Sequence, residues 1–237
     1  MFQTMRQDRL ALQLALSAPY RCAYLPAETA QITLLPADAR LSTAAYTRLV
    51  AQGFRRSGGV VYRPECPACR ACIPVRVEVT QFFPDRSQRR CLKRNRDLEV
   101  IARAPGFHPE HYRLYLKYLK ARHGQDAPTP EEYLDFLTCY WCRTKFYEFR
   151  LEGKLVIVAV VDWLVDSLSA VYTFYEPELA KRGLGTYAVL WQIEAAKKQG
   201  RRWLYLGYWI AACRKMAYKI QFKPQQWYLG SWQPAPI

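Results

Sequence analysis

Negative charge is scarce in this sequence: 20 Asp and Glu face 35 Lys and Arg, a formal net charge of +15 with an isoelectric point near 9.6. An enzyme of small neutral metabolites does not need such a field, whose usual use is to attract a polyanion. Long apolar runs are missing as well, and no segment approaches the ~20 residues of a membrane span. Histidine is nearly absent. His108, His111 and His123 gather around one expected helix with no serine or cysteine beside them, which disfavours a catalytic triad and leaves surface or capping roles. Eight cysteines in a chain of this size do not make a secreted disulfide scaffold. Internal repeats and low-complexity tracts are also lacking. These absences predict a cytoplasmic protein, not bound to a membrane, with an anionic partner.

What is present is a core. Hydrophobic residues make up 51% of the 237 positions and aromatics 14%, enough for one domain or two small ones. The stretch from Asp162 to Lys219 organises the rest. Leu168–Tyr175 is β-branched and aromatic and reads as a buried strand; Lys181-Arg-Gly-Leu-Gly185 is a glycine turn. A helix follows over Thr186–Gln199, closed by Gly200, and then a strand over Trp203–Tyr208. Strand, turn, helix, strand is a βαβ unit, which keeps ligands at the carboxyl ends of its strands. Gly183 and Gly185 let backbone approach an anion at the helix N-terminus, or merely make a tight turn. The segment resembles the core of the GNAT-type acetyltransferase fold. Ala180 departs from that family's phosphate loop, since its side chain cannot contact a pyrophosphate.

Earlier in the chain, Met1–Ser17 places Arg6 and Arg9 before a short apolar run broken by Gln13, and is read as an amphipathic turn or leader rather than a signal peptide. Ile32–Leu35 is a strand candidate. Ser42 caps a helix through Gln52, and strands are expected at Val60–Tyr62, Ile73–Val79 and Glu99–Arg103. Asp85 or Ser87 caps a helix whose face carries Arg86, Arg89, Arg90, Lys93 and Arg94. Pro105-Gly106 is the best boundary, dividing an N-terminal half (1–104) from a C-terminal half (105–237). The second half opens with a helix over His108–Arg122. A capping box at Thr129-Pro-Glu-Glu132 starts another, expected to run to about Arg143. Lys145–Leu151 and Lys154–Asp162 form a hairpin around Glu152-Gly153. Ile210–Tyr218 is read as a helix and Phe222–Tyr228 as a closing edge strand.

Three constellations bear on chemistry. Cys66, Cys69 and Cys72 have C-x-x-C-x-x-C spacing; with Cys22 they either hold a zinc ion or iron–sulfur cluster or pack as reduced thiols. Cys139 and Cys142 fall inside the expected helix as core residues, and Cys91 and Cys213 are read as structural. The run from Arg86 to Arg96 is almost one-signed, so its like charges repel, and an anion such as a phosphate backbone offsets that cost.

Longer motifs resemble a known family, the aminoacyl-tRNA–protein transferases. In the N-terminal half these are Cys22-Ala-Tyr-Leu-Pro26, Gly53-Phe-Arg-Arg-Ser57, Cys69-x-x-Cys-Ile-Pro-Val-Arg76 and Phe83-Pro-Asp-Arg-Ser-Gln-Arg-Arg90. In the C-terminal half they are Leu168–Tyr175, Leu184-Gly-Thr-Tyr187, Tyr205-Leu-Gly-Tyr-Trp-Ile210 and Lys215-Met-Ala-Tyr-Lys219. The resemblance spans about Pro19 to Trp232. It implies an α/β (α+β) protein, a GNAT-like acyltransferase core preceded by a smaller α/β half that reads the acceptor. It further implies transfer of leucine from leucyl-tRNA to the α-amine of proteins beginning with Asp or Glu, marking them for degradation. The aminoacyl-adenosine end of tRNA then takes the place of acyl-CoA, which accommodates Ala180. Leu25 stands where eukaryotic arginyltransferases have a second cysteine. No cofactor is therefore assigned, and Cys22, Cys69 and Cys72 stay only as a candidate metal set.

Under this reading Asp162, Tyr175 and Glu176 are the candidates for holding or deprotonating the acceptor amine. Arg86, Arg89, Lys93 and Arg94 bind tRNA, while Gly183 and Gly185 bind the aminoacyl end. Cys22 and Tyr24 belong to the acceptor site, where Arg63 and Arg76 pair with the acidic side chain. The rival readings are an acetyl-CoA-dependent enzyme, a tRNA-dependent cell-wall peptide transferase and a non-catalytic RNA-binding module.

Overall fold

Valine, isoleucine and aromatic residues fill the strands at the centre of the computed structural model, which describes residues 13–36, 41–124 and 127–236. The expected leader falls largely at 1–12, outside the described residues. The N-terminal part supplies β1 (Ala15–Leu16), β2 (Tyr20–Arg21), β3 (Thr29–Ala30), β4 (Ile32–Leu34), helix α1 (Thr43–Ala51), β5 (Arg55–Ser57) and β6 (Val60–Pro64). Strand β7 (Ile73–Glu78), helix α2 (Arg86–Arg94) and strand β8 (Glu99–Arg103) follow. The remainder comprises α3 (Pro109–His123), α4 (Pro130–Leu137), β9 (Arg143–Leu151), β10 (Lys154–Trp163) and β11 (Ser167–Tyr175). A 3-10 turn (Pro177–Arg182) then leads into α5 (Leu184–Lys198) and β12 (Trp203–Trp209). The chain ends with α6 (Arg214–Ala217), a second 3-10 turn (Tyr218–Gln221), β13 (Gln225–Tyr228) and β14 (Trp232–Pro234).

Eight strands form the central sheet, in the order β14-β13-β7-β12-β11-β10-β9-β8; β1-β4-β6-β5 make a small antiparallel sheet and β2-β3 a ribbon. Strand β10 shows how the layers are built. Its Ile157, Ala159 and Val161 pack with α5, whereas Val158 and Val160 pack with α3 and α4, as the two-residue period of a strand requires. A third apolar cluster, with Tyr46, Phe54, Val61, Trp141 and Trp203, joins α1 and the small sheet to β12.

The expected βαβ unit is present: β11 and β12 run parallel, with α5 crossing between them. The hairpin also forms, with Glu152 and Gly153 both at positive φ. The proposed boundary near 104 does not divide the sheet. Strand β7 lies between β12 and β13, and β8 pairs with β9, so strands from both sides of residue 104 share it.

Three local expectations need correction. The helix capped by Thr129 stops at Leu137, where Thr138 adopts an extended conformation (φ −109°, ψ 160°) and its hydroxyl donates to Leu134 O at 2.8 Å. Cys139 and Cys142 therefore lie in a loop and not in a helix; the chain enters β9 at Arg143 and buries Phe146 to Phe149 in succession. Between Ile210 and Tyr218 only Arg214–Ala217 is α-helical. Strand β13 is flanked by β7 and β14, so the outer strand on that side is β14.

Candidate functional site

Beyond the short ladder that joins Ser167–Ser169 to Trp203–Tyr205, β11 and β12 have no further paired residues. Both carry register shifts here, β11 against β10 and β12 against β7. At the carboxyl end of β11 lies a cavity of about 540 Å³. Its floor is Gly183, Leu184, Gly185 and Thr186 at the start of α5. Thr173 and Tyr175 come from β11, Tyr118 and Arg122 from α3, and Arg214, Lys215 and Tyr218 from the segment after β12. Gly183 sits at φ +72°, a left-handed conformation, and α5 begins with no side-chain cap. The first-turn N–H groups are thus left for a ligand oxygen. Gly185 keeps the floor low, because a Cβ there would lie 3.1 Å from the Tyr175 ring. With Arg122, Arg214 and Lys215 exposed around it and Leu184, Val189 and Ala180 among its apolar lining, the cavity suits an anionic group attached to an apolar one.

Helix α2 is fastened to this cavity. Asp85 and Gln88 form its capping box. At the other end Asn95 Nδ2 donates to Arg182 O at 2.9 Å, and the Cys91 thiol lies 3.5 Å from Gly183 O. Arg94 also donates to the Lys181 carbonyl. Arg86, Arg89, Lys93 and Arg94 are all exposed, so the basic face adjoins the loop that floors the cavity.

The three candidate amine-holding residues do not stay together. Tyr175 lines the cavity and meets the Tyr118 ring edge-on at 5.0 Å. Glu176 points to the side: its Oε1 accepts from Glu178 N at 3.2 Å and lies 2.8 Å from Lys117 Nζ. Asp162 is fully buried, with Arg56 Nε and Nη2 at 2.6 and 2.8 Å and the Thr144 hydroxyl at 2.7 Å. That pair ties β5 to β10. It is a structural ion pair, and Asp162 is withdrawn as a proton acceptor.

A second cavity, about 380 Å³, is lined by Cys22, Cys66, Cys69 and Cys72 together with Arg63, Arg70 and Tyr228. The cysteine motifs do converge, and Cys22 Sγ accepts from Tyr24 N and Leu25 N at 3.4 Å each. Burial, then the other three thiols, pushes Cys72 up to about 12. However, among the described residues no three His, Cys, Asp or Glu side chains are grouped as metal ligands. The candidate set of Cys22, Cys69 and Cys72 thus lines one cavity without being grouped as ligands, and no chemical step is routed through a metal.

Neither proposed carboxylate reader is available in the expected way. Arg76 lines neither cavity. Its guanidinium lies 3.6 Å from the Trp203 ring centroid and 4.2 Å from that of Trp232, bonded to Gln226 Oε1 and the Tyr205 hydroxyl. Arg63 faces the second cavity, but it is directed to Gln52 O and Glu65 and lies over Phe54. Tyr24, 39% exposed, donates its N–H to Cys22 of that cavity but does not line it. Sequence reasoning missed Tyr118 and Arg122, which lie three residues beyond Tyr115 and Leu119 and, four apart, share one face of α3.

Comparison with known proteins covers almost the whole chain. The N-terminal model of the arginine-tRNA-protein transferases matches residues 20–90 and the C-terminal model residues 110–229. Proteins named aspartate/glutamate leucyltransferase are similar throughout. That of Saccharophagus degradans is 45% identical over 94% of this chain and 97% of its own length. The Thiobacillus denitrificans protein is 48% identical over 94% of each, and that of Nitrosococcus oceani 48% identical over 90% and 91%. Among solved structures, the C-terminal domain of a protein assigned as a lysylphosphatidylglycerol synthetase, from Agrobacterium fabrum, shares the fold. Its TM-score is 0.51 at 16% identity, over 79% of this chain and 62% of that one. The fold is the mixed α/β plan expected from the organising segment, and it is shared with that domain.

Proposed function

The chain belongs to the arginine-tRNA-protein transferase family, and from that membership we propose that it moves leucine from leucyl-tRNA to the N-terminal amine of proteins beginning with Asp or Glu. The observation that carries the reading is the cavity at the parted ends of β11 and β12, with exposed cations around it and adjoining the exposed basic face of α2. A tRNA phosphate backbone suits that face. The aminoacyl-adenosine end then enters the cavity, where first-turn N–H groups of α5 meet oxygen and Leu184, Val189 and Ala180 meet the leucine side chain. Ala180 is suited to a ligand that brings no pyrophosphate to grip.

The reaction is aminolysis of an ester. The neutral α-amine attacks the leucyl carbonyl, the bond to the ribose oxygen breaks, and the proton lost by nitrogen ends on that oxygen. An ester already activated by tRNA needs little covalent help, and holding the two reactants together supplies most of the acceleration. Of the named candidates only Tyr175 lines the cavity, which supports a role for its hydroxyl in holding the amine or passing its proton. Both substrates are found in the cytoplasm, which supports that location.

The direct test follows label from [¹⁴C]leucyl-tRNA into a peptide beginning with Asp. Incorporation that stops when the N-terminus is acetylated is the expected result. Absence of transfer, or transfer of acetyl from acetyl-CoA instead, overturns the reading.

A further inference from the structure

Arg55 occupies the fork where the ladder between β11 and β12 ends. Its Nη2 donates to Ala170 O, on β11, at 2.6 Å. On the β12 side is Gly207, at φ +79°, where a Cβ would lie 2.7 Å from both Cζ and Nη1 of Arg55. The guanidinium therefore fills a gap that only glycine leaves open. Its Nη1 is buried and has no hydrogen-bond partner among the described residues. A buried unsatisfied donor costs free energy unless something else satisfies it.

A second cation lies close by. Lys219 is 6% exposed and donates to Tyr208 O at 2.6 Å. Burial first, and then the like charge of Arg55, lowers its ammonium to about 7; the other charged or titratable neighbours are Cys213 and Cys72. Neither Arg55 nor Lys219 has an ion-pair partner among the described residues. A half-buried guanidinium and a buried ammonium, neither with a counter-charge, are retained at a cost, and a ligand anion would remove it.

The position says which anion. Arg55 itself lines neither cavity, but its guanidinium is near enough to Tyr218, in the wall of the first, and to Tyr24, in the loop of Cys22 beside the second, to favour the ionised form of each. The basic face of α2 is instead tied to the loop at Lys181–Gly183. An acceptor N-terminus that enters past Tyr24 would bring its side chain to Arg55 and its amine toward the first cavity.

We propose that Arg55, supported by Lys219, binds the side-chain carboxylate of the acceptor's first residue and is the group that distinguishes Asp and Glu from Asn and Gln. This rests on the leucyl-transfer reading for its acceptor. A carboxylate oxygen accepts from Nη1 and also supplies the missing charge. An amide has nearly the same shape but presents an oxygen without charge and an NH₂ group that repels the two cations. A charged hydrogen bond lost in a desolvated site lowers binding about ten- to two-hundred-fold.

The test is calorimetric binding of two peptides that differ only in Asp or Asn at position one, with no tRNA present, so that its outcome is separable from that of the transfer assay. The wild type is expected to bind the Asp peptide at least tenfold more tightly. Arg55→Met should bring the ratio near one and leave leucyl-tRNA affinity within about threefold, and Lys219→Met should lower it at least threefold. Arg55→Gln keeps a donor for Ala170 O and is expected to lose the ratio like Arg55→Met, which covers a folding failure of the latter. A wild type that binds neither peptide, or equal binding of both, overturns the proposal, as does a preference kept in Arg55→Met or Arg55→Gln. If Arg55→Met or Arg55→Gln instead loses leucyl-tRNA affinity tenfold with the peptide ratio intact, the anion is a tRNA phosphate and the carboxylate assignment falls. Peptide discrimination in a protein that transfers no leucine would leave Arg55 standing and strike the transfer reading alone.

Discussion

Replacing Arg56 by methionine should be among the most damaging single changes to this protein. The guanidinium is buried and meets five acceptors: both Asp162 oxygens at 2.6 and 2.8 Å, Leu137 O at 3.0 Å, the Thr144 hydroxyl at 3.2 Å and Gly58 O at 3.3 Å. Methionine fills much of the volume but leaves the Asp162 carboxylate, 0% exposed, with only the Thr144 hydroxyl. Breaking a buried ion pair from one side costs about 3–5 kcal/mol, because the charge that remains is uncompensated. For a chain of this size each kcal/mol moves the melting temperature by ~2–4 °C, so a fall of about 6–20 °C is expected. Urea unfolding and thermal melting followed by circular dichroism would measure both. The double variant Arg56→Met/Asp162→Val should recover at least half of the loss, since the orphaned charge is gone. A loss below about 1 kcal/mol in Arg56→Met would refute the reasoning. So would an Asp162→Asn protein as stable as the wild type but with kcat down a hundredfold at unchanged KM, because Asp162 would then be serving the reaction and not the fold.

Two further outcomes are expected. Alanine at Arg86, Arg89, Lys93 and Arg94 together should flatten the salt dependence of leucyl-tRNA binding by about three to four in the log–log slope, similarly for different tRNA sequences; an unchanged slope would remove α2 from the interface. Burial by itself would push the Glu148 carboxyl up, but Arg150, His111 and Arg103 outweigh it and hold it at about 2, below the unfolded value. Its contribution, on the order of 3 kcal/mol, is then complete above pH ~4.5 and lost as pH falls toward 2, so the stability gap between wild type and Glu148→Gln should close over that range.

Much of the fold was legible because its signals are local. The capping box at Thr129/Glu132 forms as expected, and of the two caps offered for α2 it is Asp85 that forms, with Gln88 three residues on completing a second box. The Glu152-Gly153 turn sets its hairpin, and apolar length with glycine punctuation marked β11, α5 and β12. Where a local signal faded, the reading slipped. Nothing in the pattern around Thr138 showed the capped helix stopping there, because the residues that compete for it belong to strand β9 and its partners.

The chemistry divides in the same way. The sequence alone determined a strongly basic chain, the helix that presents Arg86, Arg89, Lys93 and Arg94, and the glycine turn at 183–185, since composition and short-range spacing suffice for these. Only the tertiary structure decided that Asp162 spends its charge on Arg56, 106 residues away, and that Arg76 is held between Trp203 and Trp232. It also decided that Arg55 reaches a fork 115 residues further on, at Ala170. An arginine in a sequence is a charge without a partner. Which partner it finds depends on which strands lie side by side, and β7 joining β12 and β13 is an outcome of burying apolar surface across the whole chain that no local window contains.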